Sequence, residues 1–313
     1  MSRSPHSVLV VGSVALDTVT TPAGTVDDGL GGSASFFGLA AVKYAPVRMV
    51  AVAGADFPEE HLSLFRRHGL DIGGLQLVEG RTFRWAGVYS QDMNERETLR
   101  TELNVFEGFH PELPDGYAQS GCLFLANIDP TLQLEVLESM QAPKIVALDT
   151  MNYWISSKRD ELLKVLERVD LFLINDSEAR LLTGQENVLR AAEGIRMMGP
   201  STVVVKRGEY GALARTENGW FSLPAYPVEG LKDPTGAGDS FAGGLLGYLA
   251  HTGGRVDEAN LRLGLAHGAA VASFVVEEFS VGGLLDLSRA AIQERVRTLW
   301  EMSRFDPTLE GTR

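Results

Sequence analysis

The strongest constraint on this chain is the alternation, along its first two thirds, of doubly covered strand sequence with helical sequence. "SVLVVGSVALD", "VRMVAVAG", "GCLFLANI", "KIVALDTM", "VDLFLIN" and "STVVVKRG" are near-continuous apolar runs rich in β-branched residues. A strand covered on one face alternates apolar with polar residues, whereas an unbroken run suits a strand covered on both. Between these runs, "SASFFGLAAVKYA", "PEEHLSLFRRHG", "TLQLEVLESMQ", "KRDELLKVLERV" and "NVLRAAEGIRMMG" read as helices. Ser33 stands near the start of the first, and Pro58 with two glutamates opens the second. The alternation predicts an α/β fold with a mostly parallel sheet and helices on both faces.

Two stretches depart from it. "TFRWAGVYS" and "ETLRTELNVF" both alternate as strands and are joined by the turn sequence "QDMNER". "DTVTTPAGTVDDG", just after the first strand, is able to pair with that hairpin. We expect a small antiparallel flap, or β lid, drawn from about residues 17–30 and 81–106. The last third is helical, in "SFAGGLLGYLAH", "DEANLRLGLAHGAAVASFVV" and "LSRAAIQERVRTLWEMS". No repeat or linker interrupts the chain, so its 313 residues are expected to form one domain spanning 1–313.

Charge and cysteine content narrow the function classes. Lys and Arg total 28 against 41 Asp and Glu, a formal net charge of −13. That balance argues against nucleic-acid or anionic-membrane binding, both of which draw on a surplus of basic residues. The lone Cys122 excludes an internal disulfide and a cysteine-cluster metal site. It lies in an apolar run and is expected to be a buried thiol. "MSRSPHS" is too short and polar for a leader, and no run reaches the length of a membrane helix. The expected location is the cytoplasm.

Ligands of open parallel sheets gather at the carboxyl ends of the strands. Asp17, Asn127, Asp129, Asp149, Asn152, Asn175, Glu178, Lys206 and Arg207 all fall at such ends. Each alone suits a turn or helix cap; their succession along one edge points to a site. "LKDPTGAGDSFAGGLLGYLA" brings a helix to the same edge. Gly236, Ala237 and Gly238 leave backbone N–H groups unobstructed at the positive end of that helix, an anion cradle for a transferring phosphoryl group. Asp239 stands beside it as a candidate general base. A plain acidic N-cap would need only a turn before it, although a tight loop also explains the glycines.

"DPTGAGDSFAGGLLGYL" closely resembles the C-terminal signature of the ribokinase-like, or PfkB, carbohydrate kinases, and the resemblance covers nearly the whole chain. "VVGSVALD" resembles the family's first strand, with Asp17 as the substrate-contacting aspartate, and "GGSASFFGLAA" its di-glycine segment at Gly31 and Gly32. "NDSEARLLTG" resembles its Asn-x-x-Glu element, and "VVVKRGEYGAL" the strand and turn leading to the nucleotide. The resemblance implies a three-layer α/β/α core with a β lid. It implies an ATP-dependent kinase acting on a hydroxyl, chiefly a primary CH₂OH, of a sugar, nucleoside or related polyol. In that reading Asp239 is the base, with Gly236, Ala237 and Gly238 as the cradle. Asn175 and Glu178 order water around the magnesium of ATP, and Lys206, Gly208, Gly211 and Thr235 join the ATP site. Asp233 and Thr235, with the "EEFSVGG" loop, suggest a potassium site. The adenine falls between the segment after Gly211 and the "LAHGAAVASF" helix, whose His267 is expected to be packed. The contrasting reading is a catalytically silent sensor of a nucleotide or metabolite.

One departure bears on the substrate. Where many members carry an asparagine after the di-glycine, this chain has Phe36, so ribose or fructose-phosphate recognition of the usual kind is in doubt. Phe36 offers an apolar face to a nucleoside base or cyclitol, or Ser33 and Ser35 replace the lost contacts. Arg84 and Trp85 lie on opposite faces of a lid strand. One faces the substrate: Arg84 toward phosphate or hydroxyls, or Trp85 as a stacking surface. Trp85 otherwise makes a lid–lid or dimer contact, and the lid is a candidate homodimer surface. Asn104 matches a lid-end asparagine that contacts substrate in relatives.

Overall fold

In the computed structural model, which describes residues 4–304, the first strand divides its side chains between two apolar layers. Val8 and Val10 of β1 (Ser4–Val11) enter one layer, Leu9 and Val11 the other, and all four are fully buried. Cover on both faces is why this segment lacks polar alternation. The chain then changes sheet. The run expected as one strand through Asp17 breaks after Val11 and resumes as β2 (Ala15–Thr21), which pairs with β3 (Gly24–Gly31) in a second sheet. Gly12 marks the break because a Cβ there would lie 2.8 Å from both Ala126 Cβ and Ser33 Oγ.

α1 (Ser33–Ala41), β4 (Val47–Gly54), α2 (Glu59–Arg67) and β5 (Leu70–Val78) follow, then β6 (Phe83–Tyr89) and β7 (Arg96–Glu102). The alternation continues with β8 (Ser120–Leu125), α3 (Pro130–Ser139), β9 (Ile145–Leu148), α4 (Asn152–Ser157) and α5 (Arg159–Leu166). Next come β10 (Leu171–Asn175), α6 (Asp176–Thr183), α7 (Val188–Arg196), β11 (Thr202–Lys206), β12 (Ala212–Thr216) and β13 (Gly219–Leu223). α8 (Ala237–His251), α9 (Glu258–Val275), α10 (Gly282–Leu285) and α11 (Arg289–Ser303) close the described chain.

The large sheet has nine strands in the order β13-β12-β11-β10-β9-β8-β1-β4-β5, antiparallel only at the β11–β12–β13 end. Apolar residues of α1, α8, α9 and α11 cover one face, and those of α3, α5, α6 and α7 the other. The core is the three-layer α/β/α arrangement expected. β5 escapes a reading from periodicity because Gly73 and Gly74 interrupt its middle. α8 is held unusually close to its neighbours. A Cβ on Gly243 would lie 2.5 Å from the Phe37 carbonyl oxygen, and one on Gly244 3.0 Å from Gly268 Cα. Among the described residues, no helix is long and apolar enough to cross a membrane.

The small sheet has the order β3-β2-β6-β7, with β2 and β6 parallel. It rests on the segment leading into α8: Thr21 Oγ1 donates to the Lys232 carbonyl at 2.7 Å, and Tyr89 Oη lies 3.1 Å from Thr235 Oγ1. Asp17 is in register with Trp85, and Val19 with Gly87. Partners in a parallel ladder share a face, so Asp17, Val19, Trp85, Gly87 and Tyr89 all line the side turned toward α8.

Candidate active site

Three adjacent strands of the large sheet end in polar side chains that converge. β11 delivers Lys206, in register with Asn175 of β10, and Asp149 follows β9. Lys206 Nζ donates to Asp149 Oδ2 at 2.5 Å, and the two side chains are 17% and 6% exposed. The ammonium also reaches the start of α8, where a Cβ on Gly238 would be 3.1 Å from Nζ. Burial alone would lower the affinity of Lys206 for its proton. The nearby carboxylates of Asp149, Glu178 and Asp239 outweigh it and raise the lysine above its usual range.

α8 starts at this cation. Gly236, its N-cap, has φ +75°, and a Cβ there would lie 2.4 Å from ring atoms of Phe36. Only glycine meets both demands. The Ala237 N–H is engaged by the Pro234 carbonyl at 3.2 Å within this turn. Asp239 lies in the first turn, half-buried. Burial pushes its carboxyl up to about 7, Asp149 adding to the rise while Lys206 and Arg96 oppose it. A carboxylate poised near neutrality beside a lysine and a helix N-terminus is suited to proton abstraction next to a phosphoryl group.

Asp17 faces this turn from β2. It is 8% exposed, its Oδ1 has no hydrogen-bond partner, and burial followed by Asp233 pushes it up to about 7. Gly31 lies against it so closely that a Cβ would be 1.9 Å from Asp17 Oδ2. Asp17, Phe36, Asp233, Thr235 and Ser280 border a small cavity under the small sheet. Asp233 accepts from the backbone N–H of Thr235 at 2.8 Å and of Ser280 at 3.3 Å.

Asn175 and Glu178 form a capping box on α6: Asn175 Oδ1 accepts from the Glu178 N–H at 2.8 Å, and Glu178 Oε2 from the Asn175 N–H at 3.0 Å. Burial, then Asp149, pushes Glu178 up to about 7. Among the described residues no three His, Cys, Asp or Glu side chains converge on one point.

The sequence pattern of the pfkB family of carbohydrate kinases matches residues 6–286. The chain belongs to that family. A cytidine kinase of Thermococcus kodakarensis is 32% identical over 263 residues, which are 82% of this chain and 93% of that one. A nucleoside kinase of Methanothermobacter thermautotrophicus is 27% identical over 235 residues, 74% of this chain and 72% of that one. Among solved structures, the nucleoside kinase of Burkholderia thailandensis in complex with inosine superposes with a TM-score of 0.78 at 22% identity, covering 94% of this chain and 99% of that one.

Several of the expected site residues are engaged by partners within this pfkB kinase. Arg84 belongs to the outer face of the small sheet, where it pairs with Asp28 and, at 3.1 Å, with Asp56 Oδ2. Asp56 also accepts from Thr82 N and Oγ1, both at 2.7 Å, so Arg84 clamps the small sheet to the loop after β4. Asn104 donates to the Thr82 carbonyl at 2.9 Å in the same cluster. Phe36 is 2% exposed because its ring is pressed on Gly236; it backs the turn and borders the cavity beside Asp17. Ser33 is tied to Ser13, the two hydroxyls 3.1 Å apart. Gly211 sits against the end of β13, where a Cβ would be 2.0 Å from the Leu223 carbonyl oxygen, and Gly208 opens the short turn before it. His267 is packed as expected, its Nδ1 3.0 Å from Tyr44 Oη and its ring stacked on Tyr248. Burial pushes it down to about 4. Arg96, at the start of β7, is the residue that periodicity missed. It stands over the Trp85 ring and in register with Tyr89, and its charge adds, behind burial and nearer groups, to what lowers Asp17, Glu178 and Asp239.

Proposed function

We propose that this pfkB enzyme is an ATP-dependent kinase that phosphorylates the 5′-hydroxyl of a nucleoside. The observation that carries the chemistry is Asp239 at the N-terminus of α8, poised near neutrality beside Lys206. The nucleoside class rests on the relatives described as cytidine and nucleoside kinases. Asp239 takes the proton of the primary hydroxyl as its oxygen bonds to the γ-phosphorus, the bond to the β-phosphate oxygen breaks, and ADP leaves. The positive N-terminal end of α8 and Lys206 face the charge that develops on the phosphoryl oxygens. Asp17 holds sugar hydroxyls under the small sheet, which closes as a lid. Asn175 and Glu178 face the side where the ion would sit; magnesium, when bound, neutralises phosphate charge. Asp233 and Thr235 are the groups through which added potassium would act. A silent sensor is not favoured, since it needs neither the base nor the lysine beside it.

A screen of ADP release over nucleosides, free pentoses, sugar phosphates and inositols tests the reading. Nucleosides are expected to give turnover; activity confined to inositols or sugar phosphates would overturn it. Because the carboxyl of Asp239 is raised from 3.8 to about 7, the base is protonated and idle below that pH. kcat/KM should therefore rise through about pH 7 and level off above it. Asp17 and Glu178, also raised to about 7, should make this limb steeper than one proton. A limb near pH 4 would show that Asp239 is not the titrating base. Gly31→Ala forces the Asp17 carboxylate aside. We expect a rise of about 10- to 100-fold in acceptor KM with ATP KM little changed, the scale of a lost charge-assisted hydrogen bond. Equal effects on both substrates would detach Asp17 from the acceptor.

A further inference from the structure

The structure assigns Trp85 a place in the acceptor site: we propose that its indole is the stacking platform for the flat heteroaromatic base of the nucleoside. The proposal deepens the nucleoside reading above and rests on it. Trp85 lies on the face of the small sheet turned toward α8, in register with Asp17. Its indole does not stand away from the sheet but lies along it. A Cβ on Gly87 would be 2.3 Å from Trp85 Cη2 and 2.4 Å from Cζ2, so the six-membered ring covers the glycine of β6. Trp85 Nε1–H donates to Thr98 Oγ1 at 3.3 Å, which fixes the ring's rotation, and the Arg96 guanidinium stands 5.3 Å from the ring centroid. Trp85 is only half-buried. A partly exposed ring flattened on a glycine and facing a site is built as a surface, not as filling.

Distances along the sheet give the ligand its order. Neighbouring strands are about 4.8 Å apart, so a sugar held by Asp17 lies one strand spacing from the indole. Tyr89, four residues further along β6 and about 13 Å away at the strand rise, meets Thr235 beside the anion turn. From Tyr89 the lid face thus runs from the phosphate end to the level of Asp17, where Trp85 flanks the sugar from the next strand. The group attached there in a nucleoside is the base.

Kinetics of Trp85→Leu, Trp85→Phe and Gly87→Ala, with cytidine, inosine and free ribose as acceptors, test the platform. Trp85→Leu should raise the nucleoside KM roughly 10- to 100-fold, the scale of one base–aromatic stack, with the loss confined to nucleosides and absent for ribose and ATP. Trp85→Phe should recover most of it. Gly87→Ala keeps the tryptophan but lifts it from the sheet, and should reproduce the Trp85→Leu effect; it also carries the test if Trp85→Leu does not fold. Unchanged nucleoside KM in Trp85→Leu and Gly87→Ala, or an equal loss for ribose and ATP, overturns the platform. A wild-type enzyme that phosphorylates ribose and no nucleoside overturns instead the reading on which it rests.

Discussion

The Asp239→Asn enzyme is expected to turn over about 10²- to 10⁴-fold more slowly than the wild type, the range of general-base contributions, with ATP affinity retained. Asparagine matches aspartate in shape and keeps the first turn of α8 intact, but it cannot take a proton at neutral pH. The change also removes a negative charge from a cluster that already holds Asp149 and Glu178, so the folded protein should not suffer. A single-turnover measurement of phosphoryl transfer isolates the step. Turnover within a few-fold of wild type, at any pH, would remove Asp239 from the role of base. What activity remains reports on positioning by the cradle and Lys206 alone.

Lys206→Met should cost about 10²- to 10³-fold in kcat, as removal of a single preorganised electrostatic donor does. It differs from Asp239→Asn in its effect on the fold. Asp149 is nearly buried and would lose its ion-pair partner, and removing one member of a buried pair destabilises by about 3–5 kcal/mol. Melting should therefore occur well below the wild-type temperature. Adding Asp149→Asn removes the orphaned charge and should restore much of the melting temperature while leaving the enzyme slow. That separation of stability from turnover is the critical result. If the double variant regains activity along with stability, Lys206 serves the fold and not the phosphoryl group.

Much of this arrangement was readable because it is local. Strand-end residues such as Asp149, Asn175 and Lys206 announce themselves by ending apolar runs, and the turn before Asp239 by its glycines. What the sequence withheld is pairing across distance. The Lys206–Asp149 contact spans 57 residues, and the pressure of Phe36 on Gly236 joins the first helix to the eighth. Alternation placed Arg84 and Trp85 on opposite faces but was silent on which face turns inward; the parallel register of β2 with β6 decides it. Arg96 looked like the tail of a polar turn, because nothing in "QDMNER" shows that the following strand sets it beside Tyr89 and over Trp85.

The glycines of α8 carry a lesson for anyone wishing to redirect this enzyme. With Gly243 against the Phe37 backbone and Gly244 against Gly268, the helix that presents Asp239 has no slack for a larger residue or a shifted axis. Randomising it would yield mostly misfolded libraries. β6 and β7 belong to a separate sheet, outside the packing of α1, α8 and α9, so they are the interchangeable tooling on a fixed chassis. Directed evolution toward a new acceptor should begin at Trp85, Gly87 and Arg96 and leave the catalytic helix untouched.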